Sequence, residues 1–233
     1  MTTKNTTVIF AGAGPGDPEL ITVKAMQALK KADLIIYAGS LVPEAVLSWK
    51  SKKTETLSSA GLDLDQIIDK IKEYHNKGKK VVRLHTGDPS LYGAIFEQMQ
   101  RLDKLKIPYA VIPGVTAAFA ASAAMNMEYT LPEITQTLIL TRISGRTPVP
   151  ETEDLETLAA HKASMAIYLS IGHIEKVQHI LGSHYGFESL CAVAYKVSHP
   201  EETIIRTKIE NLTQACQKNN ITRHALVIVG SPL

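Results

Sequence analysis

The sequence predicts an α/β protein made of two α/β domains, the first with a mostly parallel sheet and the second with a mixed one. Three observations predict it. Short apolar runs rich in β-branched residues alternate with segments of helical periodicity. Glycine-rich loops follow one strand after another in the first half. The chain holds 233 residues, whereas an ordinary domain holds roughly 100 to 200, so its length fits one domain or two.

The elements follow in order. Thr7 to Ala11 reads as a strand and runs into GAGPGDPEL. A helix from Thr22 to Lys31 then places Val23, Met26 and Leu29 at helical spacing, with lysines at its end. Leu34 to Tyr37 is the second strand, and KSKKTE near Lys50 reads as a solvated turn. Asp63 to Lys77 puts Leu64, Ile67, Ile68 and Ile71 on one helical face and stops before Gly78, leading into a strand from Lys80 to His85. After TGDPSLYG comes a helix from about Leu91 to Leu105, whose Tyr92, Phe96 and Met99 read as core contacts. Tyr109 to Ile112 is a strand, PGVTAAFAASAAM a helix of small residues, and Thr137 to Thr141 a strand that closes the first half.

The segment from Ser144 to Glu156, with its prolines and acidic residues, reads as a surface excursion or a linker of the kind found at domain boundaries. This puts the domains at 1–143 and 144–233. Beyond it, Ala166 to Leu169, Leu190 to Val197, Thr203 to Lys208 and Leu226 to Val229 read as strands, and Ile174 to Leu181 as a helix. The short HPEE connection predicts an antiparallel hairpin.

Composition narrows the function. A net charge of +2 gives no sign of a nucleic-acid partner, and 45% hydrophobic with 21% charged residues is the balance of a folded globular chain. Two cysteines, Cys191 and Cys216, are too few for a disulfide framework and lack zinc-site spacing. No secretory signal is visible at the N-terminus, so the expected location is the cytoplasm. The uncharged stretch from Ile107 to Met127 is broken by Pro108, Pro113 and Gly114 and is rich in weakly hydrophobic alanine, which argues against a membrane span. His173, His179 and His184 are spaced six and five apart, off a single helical face, so no metal site is expected there.

The chemistry is expected in the loops. GAGPGD after a strand invites a dinucleotide reading, but its glycines run GxGxG, and Asp33 falls before the second strand instead of at its end. No GxxxxGK[ST] phosphate loop occurs. Three loops, GAGPGD, TGDPSLYG and PGVTAA, each follow an apolar strand, and the carboxyl ends of parallel strands are where open α/β sheets bind ligands. They are expected to converge.

GAGPGDPELIT, TGDPSLYG, PGVTAA and the strand Tyr168-Leu169 before a glycine-containing turn resemble the tetrapyrrole methyltransferases along nearly the whole chain. Within that family, RLHTGDPSLYGAIFEQM and LTRISGRTPVPE look most like the branch acting on precorrin-4 at carbon 11 in cobalamin synthesis. The resemblance implies S-adenosylmethionine as cofactor, a precorrin or cobalt-precorrin substrate, a homodimer, and a cofactor cleft between two domains. By matching motifs it assigns Pro15, Thr86, Gly87, Asp88, Leu91, Thr116 and Ala117 to the cofactor. By strand alignment it adds Leu169, Ala194 and Ala225. Gly14 and Gly16 are expected to border the substrate, with Arg142 and Arg146 facing its carboxylates.

Methyl transfer from a sulfonium needs positioning and exclusion of water more than a nucleophilic side chain. Asp88 or Asp17 could favour the positive charge, although a turn-forming or helix-capping role suits Asp88 equally. Arg83 and His85 are further cation candidates, His85 and Asp17 are the candidates for direct catalysis, and no general base is identifiable. Two alternatives stay open: another family member, acting on uroporphyrinogen or on a modified protein histidine, and a noncatalytic tetrapyrrole carrier.

Overall fold

A computed structural model describes residues 6–39, 42–145, 147–230 and 233. The chain divides into two compact units, Met1–Thr116 and Ala117–Leu233.

The first unit is a five-stranded parallel sheet. Its strands are β1 (Val8–Gly12), β2 (Leu34–Tyr37), β3 (Glu55–Ser58), β4 (Val81–His85) and β5 (Tyr109–Ile112), in the order β3-β2-β4-β1-β5. The inner strands β1, β2 and β4 are buried on both faces because both are covered. Phe10, Ile36 and Val81 pack with Ile67, Ile68 and Ile71 of α3 (Leu64–Asn76) and Leu102 of α4 (Ile95–Lys104). Their neighbours Ala11, Ile35 and Val82 pack with Ala25 and Leu29 of α1 (Val23–Lys31) and Val46 of α2 (Glu44–Leu47). The helix starts are set locally. Thr22 Oγ1 accepts the Ala25 N–H at 3.2 Å, and Asp63 and Gln66 form a reciprocal capping box at 2.8 and 3.0 Å.

The second unit is a mixed five-stranded sheet of β6 (Leu138–Arg142), β7 (Ser164–Tyr168), β8 (Leu190–Tyr195), β9 (Thr203–Lys208) and β10 (Ala225–Val229), in the order β6-β7-β10-β8-β9. Only β6 and β7 are parallel, and β8 and β9 form the expected hairpin. One face carries α6 (Leu155–Ala159), α7 (Ile174–Tyr185) and α8 (Leu212–Lys218), with Met165, Ile167, Val193 and both cysteines in that core. The other face carries α5 (Ala117–Met125), whose Ala118, Ala121 and Met125 lie on Ala166, Ala192, Ala194 and Ile228. Alanine on both sides of this contact lets helix and sheet approach closely.

The boundary differs from the sequence expectation. The strand expected to close the first half, β6, pairs instead with β7 from Leu138↔Ser164 to Arg142↔Tyr168. The units therefore part after Thr116, and the exposed, proline-bearing segment around Ser144–Glu156 is an excursion inside the second unit. The turn expected near Lys50 leads directly into β3, whose Leu34↔Glu55 to Tyr37↔Ser58 register makes ETLS an exposed edge strand. α4 begins at Ile95, later than expected, because Tyr92 and Ala94 hold positive φ values of 56° and 49° on either side of Gly93. That backbone cannot enter a right-handed helix.

Candidate cofactor and substrate site

In the first unit, β4, β1 and β5 are neighbours, so the three loops leave from adjacent carboxyl ends of one sheet. They are in direct contact. The Gly87 N–H donates to the Gly14 carbonyl at 2.8 Å and the Gly14 N–H to the Gly87 carbonyl at 3.3 Å. A Cβ on Gly12 would lie 2.5 Å from the Gly87 carbonyl oxygen and 2.6 Å from Gly114 Cα, and one on Gly114 would lie 2.2 Å from the same oxygen. These glycines are required because three backbones meet there.

Asp88 locks the arrangement. Its Oδ2 accepts the Gly114 N–H at 2.8 Å, while Oδ1 accepts the Ser90 N–H at 2.8 Å and the Ser90 hydroxyl at 2.5 Å. Burial raises this carboxyl, but the Ser90 hydroxyl and the Gly114 and Ser90 N–H groups outweigh it, so its pKa lies below the ordinary value. These bonds show the turn-building role weighed for Asp88. Asp17 Oδ1 likewise accepts the Glu19 N–H at 2.8 Å and caps the single helical turn Pro18–Leu20. The start of that turn is pinned by Trp49, whose indole N–H donates to the Pro18 carbonyl at 3.1 Å.

Gly14, Pro15, Gly16 and Gly87 are buried, as is Thr116. Thr86 and Leu91 are half-buried, and so is Ala117, the first residue of α5. All the first-loop, second-loop and third-loop candidates up to Thr116 thus gather at one end of one sheet. That is the convergence expected from their order in the chain.

Arg83 and His85 do not fit the expectation of cations facing a substrate. Arg83 is buried, donating to the Ile36 carbonyl at 3.2 Å and to Gln98 Oε1 at 3.3 Å, and burial lowers its pKa to about 10. His85 is 4% exposed, its ring 6.1 Å from that of Phe10, and its Nε2 has no hydrogen-bond partner among the described residues. Burial, aided by the nearby Arg83 charge, lowers its pKa to about 3. His85 is therefore a neutral ring inside the domain at physiological pH, too weakly basic to take up a proton there.

In the second unit, Arg142 pairs with Tyr168, Leu226 with Ala194, and Ala225 with Tyr195. With β10 antiparallel to both β7 and β8, the register brings Arg142, Leu169, Ala194 and Ala225 to one end of this sheet. Their side chains diverge. Ala194 packs toward α5 and Ala225 toward the α7 face. Leu169 is 69% exposed with φ of 52°, a backbone state that Leu rarely adopts. The Arg142 guanidinium donates to the Thr147 and Pro148 carbonyls at 3.0 and 3.1 Å and so shapes its own loop. Arg146 lies outside the described residues.

Two supporting residues escaped the sequence reading. The Tyr168 hydroxyl accepts the Ala118 N–H at 3.0 Å, fixing the start of α5 beside Ala117. The wholly buried Ser170 donates to the Tyr168 carbonyl at 2.6 Å and accepts the Ile143 N–H at 2.9 Å, joining the loops after β6 and β7. Ser170 lies in no motif, and Tyr168 was read only as part of the strand before Leu169, with no role of its own. Among the described residues, no three His, Cys, Asp or Glu side chains gather as a metal site.

The pattern of the family described as Tetrapyrrole (Corrin/Porphyrin) Methylases matches residues 7–213. The chain is 49% identical over 230 residues to the cobalt-precorrin-4 C(11)-methyltransferase of Methanocaldococcus jannaschii, covering 98% of this chain and 89% of that one. It is 45% identical over 227 residues to the precorrin-4 C(11)-methyltransferase of Pseudomonas aeruginosa, covering 97% and 90%. Against the uroporphyrinogen-III C-methyltransferase of Bacillus subtilis the identity is 27% over 232 residues, covering 96% and 90%. The X-ray structure of a cobalamin biosynthetic enzyme, cobalt precorrin-4 methyltransferase, superposes with a TM-score of 0.95 at 41% identity, covering 99% of this chain and 97% of that one. With the family pattern spanning most of both units and the glycine loops in contact, this chain belongs to the tetrapyrrole methylases.

Proposed function

We propose that this protein transfers a methyl group from S-adenosylmethionine to carbon 11 of cobalt-precorrin-4 or precorrin-4, a step of cobalamin biosynthesis. One observation carries the choice of substrate: 49% identity across 98% of the chain to a cobalt-precorrin-4 C(11)-methyltransferase, against 27% to a uroporphyrinogen-III enzyme.

The residues fit the cofactor. Pro15, Thr86, Gly87, Asp88, Leu91 and Thr116 form a compact, backbone-rich surface at the strand ends of the first unit, and Ala117, Leu169, Ala194 and Ala225 are the second unit's contribution. S-adenosylmethionine supplies a methyl group on a positive sulfur, ready for in-line displacement. Asp88 acts through the loops, holding the second and third in register. Gly14 and Gly16 border the substrate, and Arg142 and Arg146 serve its carboxylates. His85, neutral and buried, keeps the end of β4 rigid, and Asp17 holds the first loop. Positioning and desolvation, with no nucleophilic side chain, are what such a transfer asks of a protein.

The enzyme works as a homodimer in the cytoplasm. Phe119, 52% exposed on the uncharged helix α5, supports a covered surface, and two buried free thiols suit a reducing compartment. Among the described residues, no helix is long and apolar enough to cross a membrane.

The test is to incubate the protein with S-adenosylmethionine and, separately, precorrin-4, cobalt-precorrin-4 and uroporphyrinogen III, and to locate the new methyl by mass and carbon NMR. Methylation at carbon 11 of either precorrin is the expected result. Methylation of uroporphyrinogen alone would reassign the enzyme within its family, and calorimetric binding of tetrapyrrole without S-adenosylhomocysteine would make it a carrier.

A further inference from the structure

The segment after the TGDPSLYG loop displays two aromatic rings to solvent on a backbone held out of its relaxed conformation. Tyr92 is 43% exposed and Phe96 is 65% exposed. Their helical spacing from Met99 reads as core, yet of the three only Met99 packs against the core of the first unit. Tyr92 and Ala94 both have positive φ, at 56° and 49°. Gly93 between them is obligatory, because a Cβ there would lie 2.1 Å from the Pro89 carbonyl oxygen. Two non-glycine residues in left-handed conformation, one on each side of a glycine, hold this segment in a costly backbone state. Gln98 stabilises this arrangement by donating to the Ala94 carbonyl at 3.0 Å, and the same Gln98 accepts from the buried Arg83 at 3.3 Å. The display is thus braced from inside the domain.

We infer that Phe96, with Tyr92 of the same segment, is the shelf on which one face of the tetrapyrrole macrocycle rests during methyl transfer. This rests on the substrate class of the reading above. The rings follow Leu91, at the same sheet end as the cofactor loops, and the carbon to be methylated must come within about 3–3.5 Å of the methyl group, which places the macrocycle against whatever borders those loops. A tetrapyrrole carries its carboxylates at the rim and leaves broad apolar faces. Exposed aromatic rings are the side chains suited to such a face, giving contact area with few rotatable bonds to immobilise. Phe96 is a substrate-positioning residue and takes no part in bond making.

The experiment compares wild type with Phe96→Ala and Phe96→Leu in three readouts: steady-state methylation of precorrin-4, calorimetric affinity for S-adenosylhomocysteine, and binding of uroporphyrin III followed by its absorbance shift. Phe96→Ala is expected to raise the substrate KM about tenfold and weaken uroporphyrin III binding by a similar factor, as loss of an aromatic contact does. Leu is expected to recover part of both, with S-adenosylhomocysteine affinity and melting temperature unchanged throughout. Unchanged uroporphyrin III affinity in Phe96→Ala would overturn the shelf, as would an equal loss of cofactor affinity. Failure of the wild type to methylate both precorrin-4 and cobalt-precorrin-4 would overturn the carbon-11 reading alone, since the binding comparison stands without turnover.

Discussion

The two units hold their candidate positions by different means. In the first, three loops are closed on one another by main-chain contacts: Gly12, Gly87 and Gly114 meet backbone to backbone, and one carboxylate, Asp88, spans two loops. In the second, the candidate positions are ordinary sheet residues at one end of β6, β7, β8 and β10, held by hydroxyl groups of Tyr168 and Ser170. A site made of backbone tolerates almost no added atom. One made of side chains on a sheet should adapt.

The sharpest way to break this contrast is to add one methyl group to each half. Gly114→Ala would force Cβ to 2.2 Å from the Gly87 carbonyl oxygen. It is expected to cost more than about 4 kcal/mol or prevent folding of the first unit, and in any folded fraction to abolish S-adenosylhomocysteine binding. Ala194→Val, in the alanine-lined contact of the second unit, is expected to cost only about 1–3 kcal/mol by overpacking. Urea melts of the two variants decide it, and equal losses would remove the distinction.

Next in size is Asp88. Asp88→Ala leaves the Gly114 and Ser90 donors without their acceptor and is expected to cost about 1–3 kcal/mol and to weaken S-adenosylhomocysteine binding. Asp88→Asn, which keeps one oxygen acceptor, is expected to recover part of both. Unchanged cofactor affinity in folded Asp88→Ala, measured by calorimetry, would show that the loops keep their register without this carboxylate.

A pH titration sharpens the comparison from another side. The His85 pKa is held at about 3 in the folded protein against an ordinary value of 6.5, so the unfolded chain binds a proton that the folded one does not. Its contribution is complete above pH 6.5 and is lost as pH falls from there toward 3, at up to about 1.4 kcal/mol per pH unit. His85→Leu is expected to flatten that part of the stability profile, read from urea midpoints at successive pH values. A wild-type profile already flat there would show that the ring is accessible to protons.

The smallest expected effect belongs to Leu169→Gly. Glycine accepts the 52° φ without strain but adds freedom to the unfolded chain, so stability should stay within about 1 kcal/mol. Affinity for S-adenosylhomocysteine should fall several-fold because the exposed Leu side chain is gone. A variant that binds as well as wild type would take Leu169 out of the cofactor surface.

These contrasts also explain what could be read from the sequence. The first unit was legible because glycine and Asp-Pro signals mark its loops and because helix-and-strand periodicity is clean around Ile67, Ile68 and Ile71. Asp88 was read as far as two equal roles, and its bond to Gly114, 26 residues away, shows the turn-building one. The domain boundary was not legible, since nothing in Leu138–Arg142 says which sheet it will join. Nor was the burial of Arg83 and His85, polar residues in a strand that is covered on both faces. Tyr92 and Phe96 deceived because helical spacing was applied to residues that precede or begin the helix.

Trp49 is the chain's single tryptophan and lies in the first unit, hydrogen-bonded to the Pro18 carbonyl at the end of the first loop. Both cysteines lie in the second unit, fully buried, with the Cys191 thiol pushed up to about 12 by burial and by its neighbour Cys216. The molecule thus carries a separate native reporter in each half. Tryptophan fluorescence follows opening of the glycine loops, while thiol labelling at neutral pH proceeds only when the C-terminal core opens, so the wild-type protein alone reveals whether the two halves unfold together or in turn.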